Sequence, residues 1–475
     1  MNRFMMVSLL ALVMVAALPS PASAAVRSLS FGMSGSDVTA LQQTLIERDY
    51  LAAGNATGRF GPLTRAAVQK FQCESGIVCG GAAYGLVGPL TRAALVSQSF
   101  EVTGWLPYWR VATSTADVLP HLATFTALMP FGYIVQNDGS LHDAFRLEAT
   151  NATTTAAFLE AARAAGVKIV PTVMWSNGAA IHAVLSDPTS RAALALRIAD
   201  MARARGYDGV DIDFEGKRAE TKEHFSAFLK ELHARMGTLP IYCSIEARTP
   251  ATDRYDGTPP ADATEYANDY IAINQYCSRV QLMTYDQQTV DVKLNKAANG
   301  APYIPIADTK WVEKVVTLAA ETISRDKLMI GVATYGYEWQ VTPLSISGYR
   351  YDMQWAFNPR YAVSLAAALG ITPSRNSAGE ISFTYRPSAA SAAAGGASPT
   401  DATSGNGLAT ATTTYSDGTT TARAENASYN ILWLSDASAI ASKIALAKRL
   451  GVRGIAIFKL DGGEDPGLWS VLPPR

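Results

Sequence analysis

The segment YDGVDIDFEG, residues 207–216, places Asp208, Asp211, Asp213 and Glu215 within eight positions of otherwise apolar sequence. Like charges this close repel one another, yet Val210, Ile212 and Phe214 between them read as a buried β-strand. Strand side chains alternate between faces, so Asp211, Asp213 and Glu215 share one face and the three apolar residues share the other. Successive acids on that face stand about 7 Å apart. Asp208 has the opposite parity and falls at the strand's start, where a structural role is expected. Stacked carboxylates in a partly dry site cannot all ionise, and at least one holds its proton near neutral pH. A chance acidic edge would not repay the cost of three inward-facing acids at alternate positions. Three carboxylates could also hold a divalent cation, but the strand contains no histidine. The five histidines of the chain (His121, His142, His182, His224 and His233) are scattered without ligand spacing. No metal and no cofactor are expected.

Seven further apolar segments frame this one. They are VTGWLPYW (102–109), ATFTALMPFGYI (123–134), VKIVPTVMW (167–175), LPIYCSIEA (239–247), RVQLMTY (279–285), KLMIGVATYG (327–336) and RGIAIFKL (453–460). Amphipathic stretches such as RAALALRIADMARARG and DASAIASKIALAKRLG fall between them. Eight near-continuous apolar strands alternating with helices predict an α/β chain forming a (β/α)8 TIM barrel over residues 100–475. Barrel enzymes place their chemistry at the C-terminal ends of the strands, which is where Glu215 falls. The interval before the last strand is too long for a loop. Its aromatic pieces predict a small β-rich insertion subdomain over 340–430, and the low-complexity run at 388–414 is expected to be disordered.

The N-terminus reads differently. Arg3 precedes the apolar run FMMVSLLALVMVAAL, followed by Ala22-Ser23-Ala24, the pattern of a secretory signal peptide over residues 1–24. No cysteine near the expected cut suggests a lipid anchor, and no later segment is apolar enough to span a bilayer. Residues 28–97 contain an internal echo, FGPLTRAAVQKFQ from Phe60 and VGPLTRAAL from Val87, in which each proline opens a helix. A small three-helix domain is predicted. Cys73 and Cys79 lie within it and would staple it after export, whereas Cys243 and Cys277 could pair or remain buried thiols. With 40 basic and 41 acidic residues in 475, the chain offers no electrostatic case for nucleic acid.

Two resemblances follow from these motifs. The N-terminal unit is similar to the three-helix peptidoglycan-binding domain, through Asp37-Val38, Leu41-Gln42, Gly58-x-Phe60-Gly61, Thr64, Ala67-Val68 and Phe71-Gln72. DGVDIDFE resembles the Asp-x-x-Asp-x-Asp-x-Glu signature of glycoside hydrolase family 18, and two further pieces occur in the expected order. QLMTYD (281–286) looks like its Met-x-Tyr-Asp element, and GVATYGYEW (331–339) looks like its seventh-strand element in the spore-cortex-lytic branch.

The resemblance implies roles. Glu215 matches the general acid–base, Asp213 the residue that orients the substrate's 2-acetamido group, and Asp211 the inner carboxylate sharing a proton with its neighbour. Tyr285 matches the hydroxyl that supports the acetamido oxygen, with Met283 and Asp286 lining the same subsite. Trp105, Tyr108, Trp109, Trp175 and Trp339, near strand ends, suit sugar platforms or core packing equally, and Phe458 stands where the family usually carries tryptophan. The implied activity is substrate-assisted, retaining cleavage of β-1,4 bonds after N-acetylglucosamine, in peptidoglycan or alternatively in chitin. A chitin-binding lectin is the non-catalytic alternative, and Glu at position 215 argues against it. The expected protein is a secreted or cell-envelope monomer without a membrane anchor once its signal is cleaved.

Overall fold

The computed structural model describes residues 27–475 apart from 49, 76, 96–99, 148–152, 345–347 and 388–427. The expected leader and the low-complexity run at 388–414 lie outside the described residues. The chain divides into two compact units, residues 1–96 and 97–475.

In the first unit, α1 (Ser36–Glu47), α2 (Pro62–Glu74) and α3 (Pro89–Leu95) enclose Leu29, Val38, Leu45, Phe60, Val68, Phe71 and Val87. The sequence echo has a physical counterpart in two buried glutamines. The Gln42 amide donates to Thr64 Oγ1 (2.8 Å) and the Arg59 carbonyl (2.9 Å), while its oxygen accepts from Gly58 N (2.8 Å). The Gln72 amide repeats this with Thr91 Oγ1 (2.9 Å), the Leu86 carbonyl (2.8 Å) and Gly85 N (2.6 Å). Each glutamine fastens the turn that precedes a Pro-initiated helix. A Cys73–Cys79 disulfide closes the turn after α2.

The second unit is a closed parallel barrel. Its strands are β1 (Glu101–Leu106), β2 (Ala127–Val135), β3 (Thr172–Trp175), β4 (Val210–Phe214), β5 (Ile241–Glu246), β6 (Arg279–Met283), β7 (Leu328–Ala333) and β8 (Gly454–Phe458). Each pairs in parallel with the next, and β8 pairs with β1 at Glu101↔Gly454 to close the ring. Val210, Ile212 and Phe214 are wholly buried on the outer face. Phe214 stacks on Phe228 of helix Lys222–Met236 at 5.3 Å, so the apolar parity of β4 is satisfied by a covering helix. Asp208 accepts from Ile169 N at 2.8 Å and ties the start of β4 to the neighbouring strand. Cys243 of β5 is bonded to Cys277, just before β6, so these two are a disulfide rather than free thiols.

Between β7 and β8 lies a separate antiparallel sheet. Its order is Tyr349–Phe357, Gly336–Pro343, Tyr429–Leu434, Ile381–Tyr385 and Ser374–Arg375, with helix Pro359–Leu369 against it. The sheet buries two carboxylates with full sets of partners, as buried charge requires. Glu338 accepts from Trp355 Nε1 (2.8 Å), Tyr361 OH (3.0 Å), Asn430 Nδ2 (2.6 Å) and Tyr385 OH. Glu380 accepts from Ile306 N and Ala307 N (2.9 Å each), Trp433 Nε1 (2.7 Å) and Lys443 Nζ (3.4 Å). Through Glu380 the sheet grips the segment that follows β6. No helix among the described residues is long and apolar enough to cross a membrane.

Candidate active site

The three alternate acids of β4 point into the barrel and meet three different environments. Asp211 is fully buried and accepts four side-chain hydrogen bonds, from Trp105 Nε1 (3.0 Å), Thr172 Oγ1 (2.8 Å), Ser244 Oγ (2.9 Å) and Gln281 Nε2 (3.2 Å). Burial raises its pKa, while these four donors favour the charged form and limit the rise. Asp213, one step nearer the barrel mouth, is 3% exposed and its Oδ1 has no hydrogen-bond partner. Burial, then the charges of Glu215, Asp211 and Glu246, push its pKa well above the usual carboxylate range. No hydrogen bond joins Asp211 to Asp213 among the described residues. The donors from β1, β3, β5 and β6 saturate the inner acid instead.

Glu215 follows β4 at the mouth. Burial, with a further push from the neighbouring Glu246, raises its carboxyl to about 7. That is the range in which one group can both give and take a proton near neutrality.

The cavity above these acids has a volume of about 310 Å³, within the size range of small-ligand sites. Asp213, Glu215, Met283, Tyr285, Asp286, Trp105, Tyr108 and Phe458 all line it. Phe458 forms an aromatic floor, stacked on Tyr285 (5.4 Å, 19°) and edge-on to Trp105 (5.9 Å). Tyr285 is 9% exposed. Burial and then the surrounding carboxylates hold its hydroxyl far above its usual pKa, so it is a hydrogen-bond donor at any working pH.

A Cβ on Gly331 of β7 would lie 2.4 Å from the Leu282 carbonyl and 2.9 Å from the Tyr285 ring, so the smallest residue is what admits Tyr285. Asp286 sits at a left-handed φ of 57°, uncommon for a non-glycine residue. Its Oδ1 accepts from Tyr335 OH and Tyr337 OH at 2.8 Å each. Burial raises its pKa and the two phenols oppose that rise.

Two of the expected platforms lie elsewhere. Trp339 is buried in the added sheet, edge-on to Tyr337 (5.8 Å) and Tyr351 (6.5 Å), and does not line the cavity. Trp175 packs on Phe214 at 5.6 Å, outside the cavity as well. Their sequence positions, just past strand ends, suit either a platform or a core residue, and packing on adjacent aromatics decided for the core. Trp105 lines the cavity but spends its indole N–H on Asp211.

Conversely, Ser244, Glu246, Trp311, Tyr335 and Tyr337 line the cavity without having been singled out. Tyr335 and Tyr337 lie in the seventh-strand motif, and their alternate spacing was the available signal. Nothing in the sequence marks Trp311, which arrives from helix Thr309–Ala319. No cluster of three or more His, Cys, Asp or Glu among the described residues is arranged to hold a metal.

Comparison with known proteins adds an independent line. The model for glycosyl hydrolases family 18 matches residues 109–463, and a peptidoglycan binding domain model matches residues 34–95. The chain is 27% identical over 295 residues to the cortical fragment-lytic enzyme of Bacillus subtilis, covering 61% of this chain and 54% of that one. It is 21% identical over 290 residues to the uncharacterized glycosylase YvbX of the same organism, covering 61% and 67%. These matches span roughly half to two-thirds of the relatives' own length. Among solved structures, the Bacillus megaterium spore cortex-lytic enzyme SleL superposes with a TM-score of 0.57 at 19% identity, over 85% of this chain and 82% of that one. A class V chitinase from Pseudomonas fluorescens gives 0.58 at 21%, over 79% and 98%. At such identities these two likenesses speak to the fold.

Proposed function

The chain belongs to family 18 of the glycosyl hydrolases, and from that premise we propose that it cleaves β-1,4 bonds after N-acetylglucosamine in bacterial peptidoglycan. The observation that carries the chemistry is the pairing of Asp213, whose buried Oδ1 has no hydrogen-bond partner, with Glu215 poised at about 7 above it. Protonated Glu215 gives its proton to the glycosidic oxygen as the bond to the anomeric carbon breaks. The substrate's acetamido oxygen forms the new bond to that carbon, so no enzyme nucleophile is required. Asp213 and the Tyr285 hydroxyl hold the acetamido group, and Phe458 with Tyr108 supports the sugar faces. Glu215, now ionised, takes a proton from water, whose oxygen attacks the same carbon and restores the acetamide with retained configuration. Positioned proton transfer of this kind contributes ~10²–10⁴-fold.

Peptidoglycan is favoured because the N-terminal residues 34–95 match a peptidoglycan binding domain and because a curated relative is a cortical fragment-lytic enzyme. The apolar run and Ala-Ser-Ala pattern of residues 1–24 favour export to the envelope, and a monomer suffices for the reaction. Chitin is the second reading, favoured by the chitinase likeness of the barrel. Purified peptidoglycan and chitin digested in parallel, with mass analysis of the reducing ends, tests the choice. Muropeptides ending in reducing N-acetylglucosamine are expected, and release from chitin alone would overturn the wall reading. The first-formed anomer, followed by NMR, is expected to be β.

A further inference from the structure

The residues directly after Glu215 are held by a pair of charges that the reaction scheme above does not use. Gly216 N donates to Glu246 Oε1 at 3.0 Å, joining the peptide after Glu215 to the end of β5. The other oxygen of Glu246 accepts from Asn268 Nδ2 at 2.6 Å and lies 3.6 Å from Lys217 Nζ. The Lys217 side chain is only 1% exposed, and its ammonium makes no hydrogen bond, packing instead over the Phe225 ring at 4.8 Å. A buried ammonium is costly unless a counter-charge holds it there. Glu246 is that counter-charge. Burial would raise its pKa, but Lys217, the Asn268 amide and the Gly216 N–H together bring it below the usual carboxylate range. An anion and a cation thus flank a carboxyl that must carry its proton into each turnover.

We propose that Lys217 and Glu246 are a positioning pair for Glu215, clamping the Glu215–Gly216 peptide onto β5 and placing opposed charges beside the acid–base carboxyl. The proposal rests on Glu215 being the acid–base residue. The groups facing that carboxyl are Asp213 on its own strand, Glu246 from β5, Tyr285 and Asp286 after β6, and Lys217 two residues on. Of these, Lys217 is the one cation, so its removal and the removal of Glu246 must act in opposite directions. Glu246 also lines the cavity that Glu215 lines. The pair lets a buried acid sit near neutrality with one compensated charge beside it.

The test is a carboxyl-carbon NMR titration of the full chain labelled at glutamate, with Glu215 assigned by the signal lost in Glu215→Gln. It needs no substrate, so it stays informative even if the peptidoglycan reading fails on both polymers. Glu246→Gln is expected to lower the Glu215 pKa by about one unit. Lys217→Met is expected to raise the higher of the two apparent values of the Glu215–Glu246 pair by about as much, and Lys217→Arg to restore it. In turnover, the alkaline limb of the kcat profile should move with the titration, down for Glu246→Gln and up for Lys217→Met. Shifts of the same sign, or no shift in either variant, would overturn the proposal. If Lys217→Met does not fold, an unmoved Glu215 in Glu246→Gln overturns it alone.

Discussion

A Cβ built on Gly178 would lie 2.1 Å from the carbonyl oxygen of Gly216, so the loop after β3 and the residue after Glu215 are in direct backbone contact. Gly216 itself has a φ of 65°, a conformation that glycine adopts without steric cost. Adding a methyl at 178 forces one of the two loops to move. Gly178→Ala is expected to reduce kcat by about 10²-fold, as misplacement of a reacting group by about 1 Å can. Its unfolding free energy should fall by only about 1–3 kcal/mol. Steady-state kinetics beside urea unfolding checks the split, and an equal kcat would show that the contact is slack.

The raised pKa of Glu215 has a stability signature. Its folded-state value of about 7 exceeds its ordinary 4.5, so the folded chain binds that proton more tightly than the unfolded chain. The associated stabilisation is fully present below pH 4.5 and is lost as pH rises through 7. Glu215→Gln removes the titration. The variant is expected to match the parent near pH 4 and exceed it at pH 8 by on the order of 2–3 kcal/mol. Thermal unfolding at both pH values measures the difference, and a variant less stable at pH 8 would contradict the burial cost assigned to the carboxylate.

Trp105 and Asp211 offer a third test. Trp105→Phe keeps an aromatic ring in place but deletes one of the four donors to a fully buried carboxylate. The expected cost is about 1–3 kcal/mol, the range for leaving a buried polar group short of a partner. Denaturant midpoints at pH 7 would read it. A loss below half a kilocalorie per mole would mean that Asp211 is protonated and needs fewer donors.

The Cys243–Cys277 bond spans 34 residues and joins the strand carrying Ser244 and Glu246 to the approach to β6. Closing a loop of that length is worth about 4 kcal/mol in the chain-entropy account. Cys243→Ser with Cys277→Ser is expected to lose that much stability while keeping measurable activity at low temperature. Calorimetry of the variant checks it.

Much of this was legible because side-chain parity is a local property. Alternation alone placed Asp211, Asp213 and Glu215 on one face, and the apolar residues between them on the helix side. The barrel followed from eight apolar segments and their spacing. What escaped depended on contacts between distant segments. Trp339 and Trp175 carry the same local signature as a platform residue, and only the rings packed beside them assign them to the core. Nothing local distinguishes Glu246 from other acids at strand ends, because Lys217 and Gly216 reach it from the segment after β4. Trp311 enters the cavity from a helix whose own pattern points only to the core. The saturation of Asp211 by four strands could not be read from any one of them.

Glu380 gives the added sheet a significance of a different kind. It binds Ile306 N, and the Ile306 carbonyl in turn accepts from Gln287 N, the neighbour of Asp286. Asp286 holds the hydroxyls of Tyr335 and Tyr337, and Tyr337 is the second residue of strand Gly336–Pro343 of the same sheet. The connection is a closed circuit, running out from the barrel mouth at Asp286 and back to it through Glu380. Modular exchange therefore has a boundary here: the sheet can be transplanted between barrels only together with residues 284–308, because either half alone arrives without its counterpart.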